Sequence, residues 1–185
     1  MKLSRSYTDV QWKAAFKTRH DWDRAIDIVE DRIRSRWLDP VEQILDDWSS
    51  GFAVLALDCI ILESLWGFMH GRPVQSGEER QVYRDILRGA HFGWTDSQSD
   101  DFRKFVRNGL MHDAETRSRW LVKKTVPRNA ILEARDGGYV LNRTKFHRAL
   151  VSVFEDWVGR MRAQNQGLRT KMRARMNQII AKHFE

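Results

Sequence analysis

The run GFAVLALDCIILESLWGFMHG, residues 51–71, decides how the rest of the chain is read. It is apolar on nearly every side, which marks a helix surrounded by other helices. Ser49-Ser50-Gly51 precedes it, and Gly71 and Pro73 end it. It is long enough to suggest a membrane span. Asp58 and Glu63 argue against one, because two acids at bilayer depth cost several kcal/mol. The stretch therefore reads as the central helix of a soluble bundle, with no membrane partner.

Working outward, the flanking segments are also helical. Between His20 and Leu38, the residues Trp22, Ala25, Ile26, Val29, Ile33 and Trp37 recur three or four apart. Asp39-Pro40-Val41-Glu42 then looks like a restart, with Asp39 as cap, Pro40 at the first helical position and Glu42 completing the capping-box spacing. That helix runs to about Trp48. After the central helix, a helix is expected from about Glu78 to Arg88, a loop over 89–99 and a short helix over 100–106. Apolar positions at Phe146, Leu150, Phe154, Trp157 and Met161 give another helix. Gly167 marks a break before a basic amphipathic helix carrying Leu168, Met172, Met176, Ile179, Ile180 and Phe184.

The pattern changes after Trp120. WLVKKTV and NAILEA are β-prone, and Asp136-Gly137-Gly138 is a hairpin signal ahead of YVLNRT. The expected fold is mainly α, a helical bundle with a small β-hairpin insertion of two or three strands near residues 120–143. One domain spans 1–185, with an N-terminal extension over 1–19 and a basic C-terminal helix over 166–185.

Composition narrows the function. An apolar content of 42% with eight Trp and nine Phe supports a packed core and excludes a disordered chain. The single cysteine, Cys59, excludes an internal disulfide and a cysteine-based zinc site, and reads as a buried small hydrophobe. A cytoplasmic location fits, as does the absence of a signal peptide after Met1. The net charge of +7 is unevenly spread: residues 117–185 hold 16 basic and 5 acidic side chains, residues 1–116 hold 16 and 20. A basic C-terminal third on an acidic body points to a polyanionic partner. No glycine-rich phosphate loop is present, which argues against a nucleotide-hydrolysing motor. The Asp residues at 96, 100, 101 and 113 have no metal-binding spacing, so neither metal nor cofactor is expected.

Chemistry is concentrated in FVRNGLMHDAETR, residues 105–117. Arg107 and His112 lie five apart, about 140° around an ideal helix. A break at Asn108-Gly109, with Asn108 as cap, would bring them together. By spacing alone they read as a surface arginine and a hydrogen-bonded histidine. An Arg–His pair is nevertheless a workable minimal set for cleaving RNA without metal. The ribose 2′-hydroxyl is the nucleophile, a neutral His moves the proton, and Arg binds the charge gathering on phosphate.

The sequence RNGLMH resembles the Arg-Asn-x3-His signature of the HEPN superfamily, all-helical proteins that include RNA-cleaving toxins and antiviral nucleases. The run at 51–71 is similar to that family's long central helix. RSRWLDPVEQIL and RDGGYVLNRTKFHRAL resemble flanking pieces of a bacterial HEPN-like subfamily, and the resemblance spans roughly residues 20–160. It implies a metal-independent endoribonuclease in bacterial defence or a toxin–antitoxin system, acting on RNA as a homodimer with a composite cleft, with an antitoxin or regulator as a further partner. It implies Arg107 and His112 as catalytic residues and Asn108 as a support. Glu63 is the first candidate for the acidic residue of the central helix and Asp58 the second; a carboxylate within an apolar helix needs a partner such as Arg107 or His112. Lys123, Lys124, Arg128 and Arg143 are the RNA-contact candidates. His147 reads as a surface residue, and His70 as a helix C-terminal residue favoured by the dipole. The alternative is a non-catalytic HEPN-like module that binds RNA, a nucleotide or another protein.

Overall fold

A computed structural model describes residues 1–18, 20–126 and 130–183. The fold is mainly α: a helical bundle with a small three-stranded sheet. The chain groups into two compact units. One comprises residues 1–40, 64–73 and 154–185, and the other residues 41–63 and 74–153. The central helix α4 (Gly51–His70) and helix α8 (Arg143–Arg162) contribute to both.

The first unit contains α1 (Asp9–Ala14), α2 (Trp22–Ile33) and α9 (Gln166–Ala181). Asp21 caps α2, its carboxylate accepting from the Arg24 amide at 3.0 Å. The helix was expected to stop at Asp39 and restart. Instead it passes through a π-helical turn, Arg34–Leu38, straight into α3 (Asp39–Ile44). Asp39 is itself helical, and its amide bonds back five residues to the Arg34 carbonyl. Pro40 is the physical reason, because in a plain α-helix its ring collides with the carbonyl four residues earlier. The wider turn moves that carbonyl aside.

The segment 1–19, read as an extension, contributes Leu3 and Trp12 to the core. The Trp12 indole donates to Asn177 on α9 at 2.8 Å. Helix α9 buries Met172, Met176 and Ile180 in this same unit. The break before it falls at Ala163–Gln164, not at Gly167, because Asn165 caps α9 and Gly167 lies inside it. Phe184 lies outside the described residues.

The second unit contains α5 (Glu79–Leu87), α6 (Asp96–Asp101), α7 (Asn108–Asp113) and the sheet. Helix α6 starts earlier than expected, inside the anticipated 89–99 loop, because Thr95 and Gln98 form a capping box. Strands β1 (Trp120–Lys123), β2 (Leu132–Arg135) and β3 (Gly138–Asn142) lie in the order β1-β3-β2. Strands β2 and β3 form the hairpin, with Leu132 opposite Leu141 and Arg135 opposite Gly138. Its two-residue turn has positive φ at both Asp136 (49°) and Gly137 (76°), the conformation that Asp-Gly favours. Strand β1 adds to β3 in parallel. Beneath the sheet, Phe102 stacks on Phe146 at 5.0 Å and meets Trp120 and Trp94 edge-on.

Helix α4 is long and apolar enough to cross a membrane by length and composition. More than half of that stretch is buried inside the protein, and Asp58 is at 0% exposure.

Candidate functional site

Helix α6 continues through a π-helical turn, Phe102–Arg107, directly into α7. The Asn108 amide bonds to the Arg103 carbonyl, five residues back. The expected break at Asn108-Gly109 is absent: Arg107 and Asn108 are both right-handed helical, and Asn108 is not a cap. The irregularity lies one turn earlier. It lets Phe102 and Val106 both reach the core at 0% exposure while Arg107 emerges on the α4 side.

Gly109 has a different job from relieving the helix. A Cβ there would sit 2.3 Å from the Glu115 carbonyl oxygen. The helix ends at Ala114, which is left-handed (φ 55°). The chain then folds back over Gly109, and the Arg117 amide donates to the Phe105 carbonyl at 2.8 Å. Only glycine leaves room for that return.

Of the two partners anticipated for Glu63, Arg107 and His112, it is Arg107 that reaches the central helix. Its Nε donates to Glu63 Oε1 at 2.9 Å, and Nη2 lies 3.5 Å from Oε2. Both side chains are 24% exposed, so the pair lies at the protein surface without being fully solvated. Nη1 donates to Asn108 Oδ1 at 3.3 Å. Burial by itself would lower the Arg107 pKa, but the Glu63 hydrogen bond and charge hold it above the usual value. The Tyr83 hydroxyl also donates to Glu63 Oε1, at 3.1 Å. Burial pushes the Tyr83 phenol well above its ordinary value, with the neighbouring Cys59 and Glu63 adding to the rise. The Cys59 thiol is pushed up to about 12, again chiefly by burial, so it favours the protonated form at neutral pH.

His112 is exposed, with no hydrogen bond, ion pair or ring contact among the described residues. With ideal α-helical geometry it lies about 140° around and about 7.5 Å along the axis from Arg107, the residue immediately before α7. One chain therefore brings together Arg107, Glu63, Asn108 and Tyr83, and does not bring His112 into that cluster.

Asp58 is not part of the cluster either. It faces α8, where its Oδ1 lies 2.7 Å from His147 Nδ1, and both residues are at 0% exposure. His147, expected at the surface, is a core residue. Its Nε2 lies 3.4 Å from the Glu42 carboxylate. Desolvation raises the Asp58 pKa, and His147 pulls it partly back. The five-residue offset between Asp58 and Glu63 aims the two carboxylates at different helices.

The RNA-contact candidates divide. Lys123 is exposed on β1. Lys124 is tied to Asp46, 2.9 Å from both its carboxylate and its carbonyl. Arg143 is 1% exposed and holds the 47–50 loop through the Asp47 carbonyl and the Ser50 hydroxyl, so it is a structural residue and not a contact surface. Arg128 lies outside the described residues. Among the described residues, no group of three or more His, Cys, Asp or Glu side chains is arranged to hold a metal ion.

Sequence reasoning missed Tyr83 and the Asp58–His147 pair. Both carried a signal. Tyr83 sits on the apolar stripe Val82, Tyr83, Ile86, Leu87. His147 is spaced with Leu150, Val151 and Phe154 along one helix face. Compared with protein-family models, with curated proteins and with solved structures, the chain matches none of them.

Proposed function

We propose that this chain is a metal-independent endoribonuclease of the HEPN type, cytoplasmic and homodimeric, acting in bacterial defence or as a toxin. The observation that supports it most is the Glu63–Arg107 pair. An acidic residue of the central helix fixes the orientation of the motif arginine at the surface. Arg107 keeps weakly engaged terminal nitrogens, Nη1 at 3.3 Å from Asn108 and Nη2 at 3.5 Å from Glu63, with which to bind a phosphate. His112 is exposed and unengaged, as a proton carrier for substrate must be.

In this reading the ribose 2′-oxygen attacks phosphorus and the bond to the 5′-oxygen breaks, leaving a 2′,3′-cyclic phosphate and a 5′-hydroxyl. His112 carries one proton and Arg107 stabilises the phosphorane charge. Because the two lie on different faces of one helix, the cleft is completed by the same helix of a second copy. Purified protein incubated with total RNA in EDTA should produce cyclic-phosphate ends. Arg107→Ala and His112→Ala should each reduce cleavage by at least about 100-fold. Cleavage that survives both changes sinks the proposal.

A second reading has its own observation: Arg107 is already neutralised by Glu63, and His112 stands apart from it. A non-catalytic module binding RNA through the basic C-terminal third fits that arrangement. It predicts steeply salt-dependent binding without cleavage, nearly unchanged in both variants.

A further inference from the structure

A cleft of about 990 Å³ in the first unit is walled by the start of α2 and by α9, far in sequence from Arg107. Its lining includes His20, Asp21, Trp22, Asp23, Arg24 and Arg169. Arg169 is the unusual member. It is 6% exposed, yet among the described residues no carboxylate pairs with it. Its Nε donates to the Met161 carbonyl at 2.8 Å, and its guanidinium lies 5.7 Å from the Trp22 ring centroid. A buried guanidinium without a counter-ion is costly, and folded proteins normally supply one. Here Arg169 lines an open cleft instead.

We infer that this cleft binds a nucleoside monophosphate, with the phosphate on Arg169. Each part of the wall matches a part of that ligand. Arg169 offers the planar donor fork that suits a phosphate. Arg24, half-buried at the mouth, adds a second positive charge. Trp22 and His20, packed edge-to-face at 5.5 Å, offer rings for a planar base. Two carboxylates also line the wall, which disfavours a bare inorganic anion. Asp21 is committed to capping α2. Asp23 is exposed and suits a sugar hydroxyl, which can donate to it. The volume accommodates a ligand of this size. The inference is independent of the Arg107 reading, so a protein that cleaves no RNA can still bind here.

Titration calorimetry of the full chain with AMP and GMP, at fixed ionic strength, is the test. At least one should bind saturably at a single site. The corresponding nucleoside and inorganic phosphate should each bind at least about 10-fold more weakly. Arg169→Met removes the unpaired charge and keeps an unbranched side chain out to the position of Nε. It should weaken nucleotide binding about 10- to 100-fold and abolish the nucleotide-induced rise in Tm. If that variant does not fold, Arg24→Ala and His20→Ala test the mouth, and each should weaken binding several-fold. Absence of saturable heat for both nucleotides up to millimolar overturns the inference. So does an unchanged affinity in Arg169→Met, or in both mouth variants.

Discussion

Removing His147 should destabilise the protein far more than an average surface change. His147 and Asp58 are both at 0% exposure and lie 2.7 Å apart. His147→Ala leaves a cavity and strands a buried carboxylate. Breaking a buried pair this way costs about 3–5 kcal/mol, which for a chain of this size is a fall in Tm of about 6–20 °C. Replacing both partners, as Asp58→Leu with His147→Phe, removes the stranded charge and should cost far less. The double-mutant cycle Asp58→Ala and His147→Ala should give a coupling energy of at least about 1–2 kcal/mol. The pH dependence carries a definite sign. Burial raises the Asp58 pKa above 3.8, so its contribution to stability is fullest below that pH and is lost as pH rises through the folded value. His147 lowers that folded value, so its removal extends the loss to higher pH. The Tm gap between wild type and His147→Ala should therefore widen as pH rises above about 4. Thermal unfolding followed by circular dichroism reads all of these. Additive single changes, or a His147→Ala cost under about 1 kcal/mol, would refute the buried pair.

Three further expectations concern the same unit. Gly109→Ala should lower stability by about 1–3 kcal/mol because the new Cβ meets the Glu115 carbonyl, whereas helix propensity alone predicts a gain of about 1 kcal/mol; the sign of the Tm change decides. Asp100 accepts from Arg84 at 2.8 and 2.6 Å and also from Arg80, which hold its carboxyl well below the usual range. Stability from this group is present above pH 3.8 and is lost as pH falls toward the depressed value, so Asp100→Asn should flatten the acid limb of the Tm-against-pH curve. Finally, Arg143→Ala should lower Tm without changing the salt slope of RNA binding, whereas Lys123→Ala should leave Tm unchanged and reduce that slope by about 0.7–0.9.

Glu63 and Arg107 are 44 residues apart, yet their pairing was legible in the sequence. A carboxylate inside an apolar helix needs a partner; the motif at 105–117 offered Arg107 or His112, and the structure selects Arg107. The same reasoning was available for Asp58 and was not carried to His147. Its place near the hairpin exit made His147 read as a surface residue, although every third or fourth residue along that stretch is apolar. Arg143 misled in the opposite way: a basic residue beside a hairpin looks like an RNA contact, but its guanidinium holds the 47–50 loop.

Local chemistry determined the elements. Apolar periodicity gave the helices, and Asp136-Gly137 gave the hairpin turn, because both depend on neighbours within a few residues. The tertiary structure decided what the sequence left open. It ran the helix through a π-helical turn at Phe102–Arg107, where the backbone adjusts so that Phe102 and Val106 both reach the core, whereas the turn at Arg34–Leu38 follows locally from Pro40. It placed β1 parallel to β3, a pairing no turn signal specifies. It also put Arg107 on Glu63 while leaving His112 apart, because five residues of unbroken helix separate their faces.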